Sequence, residues 1–223
     1  MRAPFVVASL ALAALSAAPA AAQSSDPLFS IRPFVDVIEE SFTAKNTFGA
    51  VFGKSTFPLL GAGVQVTILD QFYAEVSGSK FEQNGSRVAV VNGQVFNLDI
   101  PLTVTLTPIE LTGGFRFRIL RHGEPIAWLR PYVGAGVGWY TYKETCTAAA
   151  ATCAAIAGDV SAKHNGFVLN GGAEFRLHRW VGVSADVQYT RVTGIIGQDG
   201  VSQAFSENDL GGVAGRFRVI VGR

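Results

Sequence analysis

Residues 128–142 read Trp-Leu-Arg-Pro-Tyr-Val-Gly-Ala-Gly-Val-Gly-Trp-Tyr-Thr-Tyr, and their character alternates. Successive strand side chains point to opposite faces. Leu129, Pro131, Val133, Ala135, Val137 and Trp139 make one face apolar throughout. Arg130, Tyr132, Gly134, Gly136, Gly138 and Tyr140 give the other face a charge, two phenols and three glycines. One face suits hydrocarbon and the other a polar interior. Alternation alone fits a half-buried strand of a soluble sandwich or a lipocalin-like barrel equally well. The remaining chain separates these readings.

Seven further stretches alternate in the same way: 30–43, 60–69, 72–81, 103–119, 165–177, 180–192 and 209–221. Eight strands are therefore expected. In the fourth, the apolar positions switch from even (Val104, Leu106) to odd (Ile109, Leu111, Phe115, Phe117) around Pro108. A bulge there would absorb the switch and tolerate the proline. Residues 82–101 are a polar excursion, and their Asn92-Gly93 pair predicts a type I′ hairpin. Residues 44–57, 143–163 and 193–208 read as long loops. Asp70-Gln71, 121–125 and His178-Arg179 read as tight turns.

Short and long connections thus alternate around an even number of strands, the order expected of outer-membrane barrels with short periplasmic turns and long outer loops. The charges agree. The polar faces collect Arg32, Asp36, Glu75, Glu110, Arg116, Arg118, Arg130, Glu174, Arg176, Asp186, Arg216 and Arg218, and the middle of the apolar faces carries none. An eight-stranded interior is narrow and filled by side chains, so glycines beside Arg130 and Tyr132 suit that face. Trp128 and Trp180 fall at the short-turn ends, and Trp139, Tyr140, Tyr142 and Tyr189 at the long-loop ends. These are the expected positions of two aromatic girdles. The fold expected is all-β: an eight-stranded antiparallel up-and-down transmembrane barrel.

Composition supports export. Residues 1–22 carry Arg2, an apolar run from Phe5 to Leu15, and Ala20-Ala21-Ala22. That is the layout of a cleaved signal peptide, leaving residues 23–223 as one barrel domain. Arg2 is the only charge removed, so 18 basic residues become 17 against 17 acidic ones, and no basic patch points to nucleic acid. Mean hydropathy is +0.29, yet no stretch after Gln23 reaches the ~18 apolar residues of a membrane helix. Cys146 and Cys153 would pair as a loop staple in an oxidising compartment.

Residues 131–139, with Gly171-Gly172-Ala173-Glu174-Phe175 and Asn208-Asp209-Leu210-Gly211-Gly212, resemble the small outer-membrane β-barrel proteins of the OmpA/OmpX type. The resemblance covers essentially residues 23–223. It implies a barrel in a Gram-negative outer membrane, surrounded by its lipid and delivered by the barrel-assembly machinery. Two features depart from the family: the chain ends Val221-Gly222-Arg223 instead of on an aromatic residue, and no peptidoglycan-binding domain follows the barrel.

Little catalytic chemistry is suggested. Of three histidines, His122 and His178 sit in turns beside arginines. His164 follows Ser161 by three residues near Asp159, a remote candidate for a rim hydrolase acting on outer-leaflet lipid. No metal cluster, cofactor motif or catalytic dyad is expected. The interior charges read as a paired plug, with a weak anion-preferring pore left open by seven bases against five acids. Phe48, Phe52, Phe57, Phe96, Ile195, Ile196 and Phe205 in the loops either pack together or form a ligand or partner surface. The expected function is a monomeric, non-enzymatic surface or structural barrel acting through its extracellular loops, with a narrow channel as the alternative.

Overall fold

The computed structural model describes residues 28–121, 124–125, 128–149, 153 and 159–222. The expected signal peptide and His122 lie outside them. Eight strands close into an antiparallel barrel: β1 (Phe29–Phe42), β2 (Thr56–Ile68), β3 (Phe72–Val91), β4 (Gln94–Arg116), β7 (Leu129–Cys146), β8 (Val160–His178), β9 (Val181–Arg191) and β10 (Gly212–Val221). Each pairs with its neighbour in sequence, and β1 closes on β10 through Phe34↔Ile220 to Phe42↔Gly212. A separate two-residue pair, β5 (Leu120–Arg121) with β6 (Glu124–Pro125), lies in the connection from β4 to β7. Among the described residues no helix is long and apolar enough to cross a membrane; the barrel crosses with strands.

The alternation becomes an inside and an outside. Along β1, Ile31, Val35 and Val37 are at least half exposed, while Arg32, Phe34 and Asp36 are buried. Along β10, Val213 and Phe217 face out, and Arg216 and Arg218 face in. The exposed apolar residues form the band that meets hydrocarbon.

Lumen-facing glycines mark where neighbouring groups come closest. A Cβ on Gly136 would stand 2.1 Å from the Leu111 carbonyl oxygen and 2.7 Å from Thr112 Cα. Both are backbone atoms that cannot yield. The glycine there makes room for the backbone of the adjoining strand.

Four strands continue beyond the membrane band: β3 has 20 residues, β4 23, β7 18 and β8 19, against 10 in β10. The β3–β4 hairpin turns on Asn92 and Gly93, both at positive φ (54° and 77°), as a type I′ turn requires.

The bulge expected at Pro108 is absent. β4 pairs with β7 in one unbroken register from Leu102↔Cys146 to Arg116↔Tyr132, and even positions face inward from Leu102 to Arg116. What changes at Pro108 is the interior itself. Below it the even positions are Glu110, Thr112 and Arg116; above it they are Leu106, Val104 and Leu102, all buried. Outside the hydrocarbon, water surrounds the barrel, so its polarity inverts as in a soluble domain.

The first loop is not wholly irregular. Residues Lys45–Phe52 form α1, ended by Gly53 at φ 77°, where glycine accommodates a left-handed cap. A shorter helix, α2 (Gly200–Ala204), lies in the last loop. Cys146 and Cys153 form a disulfide.

Candidate functional site

The interior is built in two layers. The lower layer is ionic. Arg32 donates to Glu174 at 2.6 Å and also to Gln65. Arg116 reaches the same Glu174 at 2.9 Å, and Asp70 at 3.4 Å. Arg130 reaches Asp70 at 3.0 Å. Higher up, Arg218 donates to Glu75 at 2.6 Å and lies 3.3 Å from Asp186. Arg216, directly across the ladder from Asp186, donates its Nε at 2.6 Å. Tyr132 gives its hydroxyl to Asp186 at 2.6 Å. Arg218 also lies over the Phe34 ring, 4.9 Å from its centroid. Each of these five arginines is at least nine-tenths buried. Burying such a charge is tolerable only when it is paired and hydrogen-bonded.

The upper layer is aromatic. Phe42 stacks on Phe48 with centroids 4.3 Å apart. Phe57 and Phe81 meet edge to face at 5.1 Å, and Phe52 from α1 joins them. Leu59, Leu102, Val104, Leu106 and Tyr142 complete the inner wall, and Val192, Ile195, Ile196 and Leu210 approach from the last loop. Phe48, Phe57, Ile195 and Ile196, left between packing and a partner surface by the sequence, are buried in this cluster. Phe96 is 48% exposed on the hairpin.

A latch joins the two loops. The Asn46 and Thr47 amides at the start of α1 donate to Glu207 of the last loop at 2.9 and 2.8 Å. The first amides of a helix have no internal partner, and a carboxylate there also complements the helix dipole. Glu207→Gln is expected to lower stability by about 0.5–1 kcal/mol, read by urea unfolding in micelles. An unchanged midpoint would show that the latch carries no stability.

The structure redistributes several residues picked out by the sequence. Of the twelve interior charges expected, Arg32, Asp36, Glu75, Glu110, Arg116, Arg130, Glu174, Asp186, Arg216 and Arg218 are buried. Arg118 and Arg176 are exposed instead. β4 ends at Arg116, so Arg118 leaves the strand, with its side chain 43% exposed and 3.9 Å from Asp70. Arg176 lies at the periplasmic end of β8, two residues from its terminus. Trp128, Trp139, Trp180 and Tyr189 are outward and 40–56% exposed.

Tyr140 and Tyr142, expected in the girdle, are buried. Both occupy even positions of β7, the inward parity, and Tyr140 donates to Glu110 at 2.7 Å while Tyr142 donates to Glu144. Ser161 and His164 are three apart on β8, so their side chains leave opposite faces of the strand. They form no hydrogen-bonded pair in the structure. Among the described residues no three His, Cys, Asp or Glu side chains gather as a metal-holding group.

Two interior acids escaped the sequence reading. Asp70 lies in the β2–β3 turn, at φ 57°, and draws three arginines to the barrel floor. An acid in a short turn beside strand-end arginines was the available signal. Glu40 continues the inward parity of Arg32 and Asp36 along β1, so strict extrapolation of the alternation reaches it.

The chain matches the family model described as the outer membrane protein β-barrel domain over residues 8–215. Its fold is similar to that of the outer-membrane protein OprG from Pseudomonas aeruginosa, at 14% identity, 87% of this chain and 95% of that one, with a TM-score of 0.54. Neisserial surface protein A is similar at 10% identity over 89% and 98%, TM-score 0.49. So is Ail, the attachment invasion locus protein of Yersinia pestis, solved with a heparin analogue, at 11% over 88% and 98%, TM-score 0.49. No curated protein is similar enough in sequence to count as a match.

Proposed function

Because the chain belongs to the outer membrane protein β-barrel family, we propose that it is a plugged, non-enzymatic barrel that presents its extracellular loops to partners at the cell surface. The observation that carries this reading is the filling of the interior. Five buried arginines each have a carboxylate within 4 Å, and above them an aromatic layer is held by loops from opposite ends of the sequence. Side chains so engaged take up the interior and support a closed lumen. Function then falls to what stands outside the membrane. Among the described strands, β3 and β4 are the longest, and Val91, Val95, Phe96 and Leu98 near their turn are 44–54% exposed.

Hairpin truncation tests the loop reading. Arg87 and Ile100 are paired across the hairpin, so an Asn-Gly turn replacing residues 88–99 keeps the ladder below it and the aromatic layer intact. The truncated barrel is expected to keep its melting midpoint within ~2 °C. Cells displaying the intact chain should adhere to a fixed surface more than cells lacking it, and the truncation should abolish that gain. Equal adhesion with and without the hairpin would contradict the loop role.

A narrow channel is the second reading, favoured by one feature. Between the two layers lies a chamber of about 20 Å³, bounded by the small residues Ser77, Gly78 and Ser79. A conducting lumen would have to pass through it.

A further inference from the structure

Among the described residues, the carboxylates that pair with the five buried arginines are Asp70, Glu75, Glu174 and Asp186. Three interior acids remain with no ion pair within 4 Å among the described residues: Asp36, Glu40 and Glu110. All three line the same chamber, between the ionic and aromatic layers. We propose that this chamber is a binding site for one small monovalent cation of about the size of sodium.

Charge is the first argument. One guanidinium, Arg216, also reaches the chamber wall, but its Nε is held by Asp186 at 2.6 Å. Three carboxyl groups therefore meet one guanidinium there, and that guanidinium is already engaged by Asp186. A carboxylate stripped of water and left unneutralised is costly, and a bound cation removes part of that cost. The arginine excess counted from the sequence is therefore reversed here, because Arg118 and Arg176 lie outside the interior while Glu40 lies within it.

The donors are the second argument. Asp36, 5% exposed, has a buried Oδ1 with no hydrogen-bond partner. Gln188, 6% exposed, spends its amide nitrogen on Glu110 at 3.1 Å and leaves its carbonyl Oε1 without a partner. The Arg216 Nη2 is likewise unpartnered, and a single water bridging it to Asp36 is the competing occupant. The wall adds the hydroxyls of Ser77, Ser79 and Tyr140. Carboxylate, hydroxyl and amide oxygens are ligands of hard cations.

Size and spacing select the ion. About 20 Å³ holds roughly one water-sized particle, which excludes a hydrated ion or an organic cation. The three carboxylates do not form a metal-holding trio, so a divalent ion lacks its usual grip. One or two carboxylates shared with neutral oxygens present little charge to an ion, which favours the monovalent assignment, and the calcium comparison below decides it. The site does not depend on the loop-based role proposed above, since it requires only the barrel interior.

Melting of the refolded full chain in neutral detergent micelles, followed by circular dichroism, tests the assignment. Sodium chloride is compared with choline chloride at equal ionic strength, choline being too large for the chamber. At ten times the dissociation constant, sodium should raise the midpoint by about 3–6 °C over choline. Asp36→Asn and Glu110→Gln should each shrink that difference below ~1 °C. Ser79→Ala, which removes only a wall hydroxyl, should reduce it too and serves where either acid variant does not fold. Identical midpoints in the two salts would mean that the chamber holds water alone, overturning the proposal. A sodium effect that persists in the variants would place the ion elsewhere and overturn it equally. Stabilisation by calcium at matched ionic strength but not by sodium would overturn the choice of a monovalent ion.

Discussion

Asp186→Ala is expected to lower the stability of the barrel by about 3–5 kcal/mol, the usual cost of removing one partner from a buried ion pair. Asp186 is the junction of the ionic layer. It accepts from Arg216 at 2.6 Å and Tyr132 at 2.6 Å, and lies 3.3 Å from Arg218. Both arginine side chains are 1% exposed. Arg218 keeps Glu75 when Asp186 is removed. Arg216 keeps no carboxylate within 4 Å among the described residues, so its buried guanidinium loses its direct ion pair. The cost is that of leaving a buried guanidinium without a hydrogen-bonded partner. It follows that Asp186→Ala combined with Arg216→Leu should recover most of the loss. Urea unfolding of the refolded chain in micelles gives both numbers. A single-mutant loss below about 1 kcal/mol, or a double mutant as unstable as the single one, would contradict the assigned pairing.

Phe42→Ala has the second large effect, about 3–5 kcal/mol for truncating a fully buried ring. Phe42 is 0% exposed and touches Phe48, Phe57 and Phe81, with centroid distances of 4.3, 6.2 and 5.6 Å. It ends β1, while Phe48 lies on α1, Phe57 on β2 and Phe81 on β3. Removing it therefore loosens the layer where three strands and a loop helix meet. The loss should appear first as exposure of the extracellular end, so protease cleavage within residues 44–55 should accelerate at temperatures where the intact chain resists. A Phe42→Leu variant, which keeps most of the volume, should lie much closer to the original. Equal cleavage of all three would mean that the cluster does not hold the loop.

Most of the fold was written in the alternation of the sequence. Period two separates Val35 and Val37 from Arg32 and Asp36 before any contact is known, because hydrocarbon outside and polar groups inside leave no ambiguity of face. The same rule failed where its premise changed. Above Pro108 the outside is water, so Leu102, Val104 and Leu106 turn inward without any shift of register, and an inversion of environment imitated a bulge. Tyr140 and Tyr142 were misplaced for a related reason. Their type suits a membrane interface, but their parity on β7 sends them inward, and parity is set by the backbone.

The interior site was legible in part. Strand charges revealed themselves by parity, whereas which acid meets which arginine depends on shear and barrel closure. Arg32 and Glu174 are 142 residues apart in sequence, and no local pattern joins them. Asp70 was hidden because turns have no parity. Glu207 was hidden because its partners are backbone amides, which the sequence does not mark.

The two interior layers are expected to close the lumen. Single-channel recording of the refolded barrel in a planar bilayer tests this most directly. A folded, inserted and electrically silent barrel is expected, with brief openings only after the aromatic layer is loosened by Phe42→Ala. Stable, repeated conductance steps from the unmodified chain would contradict it and make the chamber between the layers part of a working pore.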